Sequence, residues 1–262
     1  MSDTELKTTF NTAATLYEEV RPGYPENLIQ DVVNLSGLND HSRILEIGCG
    51  TGKATQSFAE RGYELVCLDI GADLIAVAQE KLKAFPNVSF VRAAFEEWKS
   101  DEKFDLIISA TAFHWVDPQV RYLKASEVLG SSGFLAVLSN QHARKDEGFF
   151  GEVQDVYDRY YLQLPTNHPT HATSFPGVEA FQDPIKRVYP WKRTYSSEQY
   201  IKLLNTYSDH IALPDKNKYL LFEAIANLIE TKYDGEITKY YAAVLDLRET
   251  KSMYPRLKAG GL

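Results

Sequence analysis

Cationic and sulfur-bearing side chains are both scarce in this chain of 262 residues. Twenty-eight lysines and arginines face 36 aspartates and glutamates, for a formal charge of −8 and an isoelectric point near 5.3. Such a balance offers no electrostatic footprint for the phosphate backbone of DNA or RNA, and no polybasic patch for a membrane surface. Neither nucleic acid nor membrane is expected as a partner. No apolar stretch approaches the ~18 residues needed to cross a bilayer. The two cysteines, Cys49 and Cys67, lie inside apolar runs without the partner spacing of a metal site. They read as small core hydrophobes, and none of the six histidines falls in a ligand motif. The polar first nine residues lack the apolar core of a signal peptide, so the expected compartment is a reducing cytoplasm. Fifteen glycines and 11 prolines are too few for a fibrous or low-complexity chain. What remains is an ordinary globular composition, 44% hydrophobic and 24% charged, at a length suited to one large domain or one domain with an insertion.

Periodicity supplies the architecture. Leu6, Phe10, Ala14 and Tyr17 recur at helical spacing, as do Leu28, Ile29, Val32 and Val33 after the break at Pro22-Gly23-Tyr24-Pro25. Five short apolar runs then read as buried strands, at 43–47, 64–68, 88–92, 106–109 and 134–138. Helical patterns at 54–61, 72–85 and 118–129 separate them. This alternation predicts βαβ units and a mostly parallel sheet covered on both faces. An aromatic, proline-interrupted stretch follows to about residue 195, then helices over 197–205 and 218–232 and a last strand over 237–247. The run 184–189 is a candidate strand that would pair with it as an antiparallel edge, leaving the helices between as a cap.

The most informative segment is Ile44-Leu45-Glu46-Ile47-Gly48-Cys49-Gly50-Thr51-Gly52, an apolar strand ending in three alternating glycines that feed a helix. Glycine accepts positive φ and has no Cβ, so the chain can turn sharply and a ligand can touch backbone. A dinucleotide fingerprint would need a third glycine where Lys53 stands, and a Walker loop fails at Ile47 and Ala54. Asp69 closes the next strand, 21 residues beyond Gly48. That is the interval at which an acid meets ribose hydroxyls in a nucleotide-binding βαβ unit. A plainer role is to cap the helix beginning near Ala72. Glu46, likewise, could be a simple strand-end charge.

The pattern E-x-G-x-G-x-G resembles the first motif of class I S-adenosylmethionine-dependent methyltransferases. Further motifs agree over residues 10–140. Tyr17-Glu18-Glu19-Val20-Arg21-Pro22-Gly23-Tyr24-Pro25 is similar to the Y-x-x-x-R-P-x-Y-P segment of a small-molecule subgroup that includes trans-aconitate methyltransferase-like proteins. Phe104 to Ser109 followed by Phe113-His114-Trp115-Val116-Asp117 resembles that group's fourth strand and H-W turn, and Gly130 to Phe134 its turn into the fifth strand. The resemblance implies a doubly wound, mostly parallel seven-stranded α/β sheet with an N-terminal helical flap (1–35), a cofactor-binding core (36–145) and a remainder (146–262) carrying a helical cap at about 196–233. It implies S-adenosylmethionine as cofactor. Glu46 would organise its methionine end, Gly48, Cys49, Gly50 and Gly52 would cradle it, and Asp69 with Ile70 would meet the ribose. Tyr17, Arg21 and Thr111 complete the implied cofactor set. Many relatives place an acid at the position of Ala94 to receive the adenine amino group. Here backbone at Ala94 and Phe95, the Phe95 ring and Glu96 are the available substitutes; Glu96 and Glu97 could equally form a solvated helix start.

Methyl transfer is an in-line displacement at an activated carbon, so alignment and exclusion of water dominate, and a carboxylate acceptor needs no base. Ligands of open parallel sheets sit at the strands' carboxyl ends. His114 is the best base candidate there, with a structural role in its turn as the other reading. Tyr24, Trp115, His142 and Trp191 are the candidate acceptor contacts, Trp115 chiefly as wall. Arg21 could clamp an anion or pair with a helix end or surface acid. The expected function is methylation of a small molecule, a carboxylic acid on the nearest precedent. C- or O-methylation of a quinone or phenolic metabolite, and a cofactor-binding regulatory protein without turnover, are the alternatives.

Overall fold

A computed structural model describes residues 14–143, 147–161 and 175–251. The helical reading at Leu6 and Phe10 and the start of the flap lie outside those residues. Helix α1 (Ala14–Val20) and helix α2 (Glu26–Ser36) precede the sheet. Five parallel strands follow: β1 (Arg43–Ile47), β2 (Glu64–Asp69), β3 (Val88–Arg92), β4 (Phe104–Ala110) and β5 (Leu129–His142). Between them run α3 (Thr55–Ala59), α4 (Ala72–Lys81) and α5 (Arg121–Val128). The late half holds α6 (Phe149–Tyr160), β6 (Ile185–Ser196), α7 (Ser197–Leu204), α8 (Ser208–Ile211), α9 (Asp215–Lys232) and β7 (Glu236–Glu249).

The seven strands lie in the order β3-β2-β1-β4-β5-β7-β6, with β7 antiparallel to both of its neighbours. Reversal of strand order at β1 and β4 opens a crevice above their carboxyl ends, where such sheets bind ligands. One face of the sheet packs Ile44, Ile108 and Leu245 against Leu28, Ile29 and Val32 of α2 and Phe58 of α3. The other packs Leu45, Ile107 and Leu135 against Phe113, Ala125 and Phe181. A third cluster, with Tyr195, Tyr200, Leu203, Ile225 and Tyr241, fills the space between α6, α7, α9 and the extended β6–β7 arm. There the capping box of Ser196 and Gln199 starts α7 directly off the strand. Helices α7 to α9 therefore stand as the cap, between β6 and β7.

Three local differences from the sequence expectation have clear causes. Strand β6 continues through Pro190 to Ser196 because it is the edge strand, where a missing N–H costs no ladder bond. Trp191 and Tyr195 consequently sit on that strand. Strand β5 begins at Leu129, so the turn read at 130–133 is absorbed into it, with Ser132 at φ 63. Helix α6 carries the apolar residues Phe149 and Val153 inward from a stretch that reads as irregular. No helix among the described residues is long and apolar enough to cross a membrane.

Candidate active site

The glycine turn is held by its neighbours before any ligand arrives. Gly48 and Cys49 both donate backbone N–H to Leu68 O at 2.9 Å, and Gly50 donates to Asp69 Oδ2 at 2.8 Å. All three glycines have positive φ, but for different spatial reasons. A Cβ at Gly48 would lie 2.4 Å from Ala112 Cβ, and one at Gly52 would lie 2.9 Å from Leu82 Cδ1, so these two allow the turn to pack. A Cβ at Gly50, φ +55, would meet nothing within 4 Å. Gly50 faces open space. That space is a cavity of about 540 Å³, partly open to solvent, at the carboxyl ends of β1, β4 and β5. It brings together Tyr17, Arg21, Tyr24, Glu46, Gly48, Cys49, Gly50 and Thr111 from the expected site, and adds Lys53 and Asn140.

Glu46 forms the floor. It is 1% exposed and accepts a 2.5 Å hydrogen bond from Thr55 Oγ1. Burial pushes its carboxyl up to about 8, opposed by the Thr55 bond, reinforced by Asp69 and opposed again by Lys81. The roof is α1 and the turn after it. Lys53 Nζ donates to the Glu18 carbonyl at 2.6 Å, while the Glu18 carboxylate pairs with Lys53 at 3.2 Å and Lys81 at 3.0 Å. The lysine that disqualified a dinucleotide fingerprint thus ties the roof to the glycine turn. Arg21 donates from Nε and Nη2 to Thr206 Oγ1 and O at 2.8 and 2.7 Å, and its guanidinium packs between Tyr17 and Tyr207. Its fork is largely committed to the cap, which leaves it less free to clamp an anion than the sequence suggests. Tyr24 OH lies 2.6 Å from Thr111 Oγ1, and Asn140 Nδ2 donates to Gly23 O.

The remaining expected cofactor contacts lie beside the cavity, not in it. Asp69 accepts from Gly50 and Gly71 at 2.8 Å, so it braces the turn and the start of α4; its remaining lone pairs keep a ribose contact open. Ile70 beside it is 38% exposed and offers an apolar surface. The Phe95 ring is buried in the core at 3% exposure, which corrects the expectation that it packs on a ligand ring and leaves its backbone and that of Ala94. Glu96 Oε1 accepts the Asp117 N–H at 2.9 Å, serving the H-W turn.

His114 and Trp115 form a single 3-10 turn, Phe113–Trp115. His114 lines a second pocket of about 650 Å³ with Arg121, Tyr122 and Ser139, joined to the first only through Thr111. Partial burial, then Arg121, lowers its pKa, so the imidazole is neutral. His142, at the end of β5, and Trp191, on β6, pack instead against the third cluster. Trp191 stacks on Tyr241 at 4.8 Å and donates from Nε1 to Asn140 Oδ1 at 3.1 Å. The His142 ring packs on Tyr207 and Tyr241, and its desolvation there, then Lys239 and Arg21, hold its pKa down to about 4. Lys239 is the residue that sequence reading missed: a lysine, 7% exposed, in alternation with Ile237 and Tyr241 on β7. Alternation could have flagged it, since it places a charge on the strand's inward face.

A model described as a methyltransferase domain matches residues 44–133. The chain is 37% identical to a malonyl-[acyl-carrier protein] O-methyltransferase of Ilyobacter polytropus, covering 69% of this chain and 76% of that one. An uncharacterised methyltransferase-like protein of Schizosaccharomyces pombe is 28% identical over 87% of this chain and 88% of its own length. A solved candidate type II methyltransferase from Anaeromyxobacter dehalogenans has the same fold, with a TM-score of 0.66, 21% identity and coverage of 88% and 97% of the two chains. The chain belongs to the class I S-adenosylmethionine-dependent methyltransferases. Membership implies a cofactor of the S-adenosylmethionine type, and the residues present fit one: an open cradle at Gly50 with a buried acid beneath it for an ammonium group.

Proposed function

We propose that the enzyme methylates a small carboxylic acid on oxygen. The observation that carries this reading is the roofed cavity over Glu46 and Gly50, whose lining includes the cationic side chains Arg21 and Lys53. An anion is the acceptor such a chamber suits. The 37% identical relative is an O-methyltransferase of malonyl-[acyl-carrier protein], and oxygen acceptance agrees with it. In this reading Glu46 holds the cofactor's ammonium, Gly48, Cys49, Gly50 and Gly52 shape its cradle, and Asp69 with Ile70 takes the ribose. Backbone at Ala94 and Phe95 meets the adenine edge. Tyr17, Arg21 and Thr111 close over the methionine end, α1 and the following turn acting as a flap. Tyr24, Trp115, His142 and Trp191 wall the acceptor.

When bound, S-adenosylmethionine would supply a methyl carbon on a positively charged sulfur, so that bonding of a carboxylate oxygen to that carbon, with the C–S pair returning to sulfur, would give a methyl ester and S-adenosylhomocysteine. No proton moves. The protein's part is therefore to align two opposite charges and keep water out. A second reading, a phenolic acceptor, is favoured by one observation: His114 is neutral and could take a phenol's proton. The test is release of S-adenosylhomocysteine with a panel of small carboxylic acids beside phenols and quinols. Turnover on acids is the expected result; turnover confined to phenols overturns the carboxylate reading.

A further inference from the structure

Two cationic side chains line the cavity over Gly50, and they are held in opposite ways. Arg21 is turned to the cap: Nε and Nη2 donate to Thr206 Oγ1 and O, and the guanidinium packs between the Tyr17 and Tyr207 rings. Lys53, directly after the glycine turn, is held from the roof. Its Nζ donates to the Glu18 carbonyl at 2.6 Å and pairs with the Glu18 carboxylate at 3.2 Å. An ammonium has three N–H donors. Glu18 occupies two of them, and no other acceptor meets Nζ among the described residues.

Charge around this ammonium does not balance. The Glu18 carboxylate is shared with Lys81 at 3.0 Å. Burial lowers the Lys53 pKa, Glu18 opposes this, and Lys81 and Arg193 add to it as like charges. The Lys53 side chain is 18% exposed, so solvent screens the excess only in part. Glu46, the acid in the cavity lining, does not offset it: burial pushes its carboxyl up to about 8, so it is mainly protonated at neutral pH before a ligand arrives. A spare donor on a cation, in a cavity with surplus positive charge, suits an anionic group that comes with the ligand.

We propose that Lys53 is the partner of the carboxylate at the methionine end of the cofactor. This rests on the chain's membership of the S-adenosylmethionine-dependent class and on Glu46 as the seat of the cofactor's ammonium. An amino-acid end carries both charges on one carbon, so the groups that receive them must line one cavity, as Glu46 and Lys53 do. Two neutral pairs result. The sulfonium and Arg21 then remain as the uncompensated positive charges of the cavity, which keeps it suited to an anionic acceptor. Because Glu18 of α1 grips the same ammonium, recognition of the carboxylate and closure of the roof share one side chain.

Calorimetry with S-adenosylhomocysteine and with S-adenosyl-thiopropylamine, the same molecule without its carboxylate, separates this contact from the roof. The wild type should bind S-adenosylhomocysteine about tenfold to hundredfold tighter than the amine, the range of a charged hydrogen bond. Lys53→Met should erase that preference, whatever the loosened roof costs both ligands, and Lys53→Arg should recover part of it. Lys53→Gln keeps a donor for the Glu18 carbonyl, which guards the fold if methionine disturbs it, and should lose most of the preference as well. Glu18→Gln, which loosens the roof but keeps the ammonium, should weaken both ligands alike and retain the preference. Equal affinity of the wild type for the two ligands overturns the proposal. So does a preference that survives in Lys53→Met with both ligands weakened together, which would make the lysine a tie for the roof alone. Binding of neither ligand by the wild type overturns the cofactor reading itself, and that result needs no variant.

Discussion

The glycine-turn side and the cap side of this molecule are made in different ways. Around β1, β2 and β4 the cavity is shaped by backbone: glycines at positive φ, N–H groups fixed on Leu68 O and Asp69, and one buried acid. In the cap the surfaces are side chains, aliphatic and aromatic, brought together from α1, α6, α7, α9 and the β6–β7 arm. Backbone recognition needs particular residue types at fixed spacing, because only glycine removes the Cβ and only a strand end aims the turn. Side-chain recognition tolerates many solutions, so its residues are ordinary in type and scattered in sequence.

The hardest blow to that contrast would come at Gly50. Its Cβ position is empty protein space, unlike that of Gly48, which would strike Ala112. Gly50→Val should therefore cost affinity for S-adenosylhomocysteine more than about hundredfold, roughly 3 kcal/mol, while the fold survives with only the strain of a branched residue at positive φ, about 1–3 kcal/mol. Calorimetry beside thermal unfolding separates the two. Retained affinity would show that the ligand does not approach this backbone.

The same difference explains how much of the molecule could be read in advance. Five strands, the glycine turn, Glu46 and Asp69 were legible because hydrophobic period and glycine spacing are local signals, and the late strands because they alternate. Strand β6 beyond Pro190 was not, since tolerance of that proline depends on the strand being an edge, a fact of the whole sheet. Arg21 stands out in its motif as a candidate, but its partner Thr206 lies 185 residues away, and no local pattern connects them. The use of Lys53 and Lys81 to hold Glu18 is hidden for the same reason. Lys239 reads as one more strand charge until β7 is seen to turn it inward.

A smaller effect sharpens the account of the glycine-turn side. Glu46 has a folded pKa of about 8 against an ordinary 4.5, so between those values the folded chain keeps a proton that the unfolded chain has lost. Its contribution therefore lowers stability as pH rises through that window. A cofactor ammonium set against Glu46 favours the carboxylate, so binding at pH 7 should expel about one proton. Titrations with S-adenosylhomocysteine in two buffers of different ionisation enthalpy measure this directly. Glu46→Gln should abolish the release and weaken binding about tenfold; a variant that still releases the proton would move the ammonium contact elsewhere.

The smallest expected effect tests where the acceptor sits. His114 lies in the second pocket, which touches the cofactor cavity only at Thr111, and it is neutral beside Arg121. A carboxylate acceptor is already ionised at neutral pH, so no group need remove a proton, and an imidazole there can act only as wall or donor. His114→Gln keeps a donor of similar reach but cannot shuttle protons. Turnover on a carboxylic acid should then stay within about threefold of the wild type, below the 10²–10⁴-fold that a lost general base costs. The depressed pKa gives a second readout. If His114 were the base, kcat would rise with pH through a value below the ordinary 6.5 and flatten above it, and that step would vanish in the variant. A flat profile in both proteins, with rates nearly equal, leaves His114 as lining; a large loss together with a vanished step makes it the base and moves the acceptor from the cavity over Gly50 to the pocket below the H-W turn.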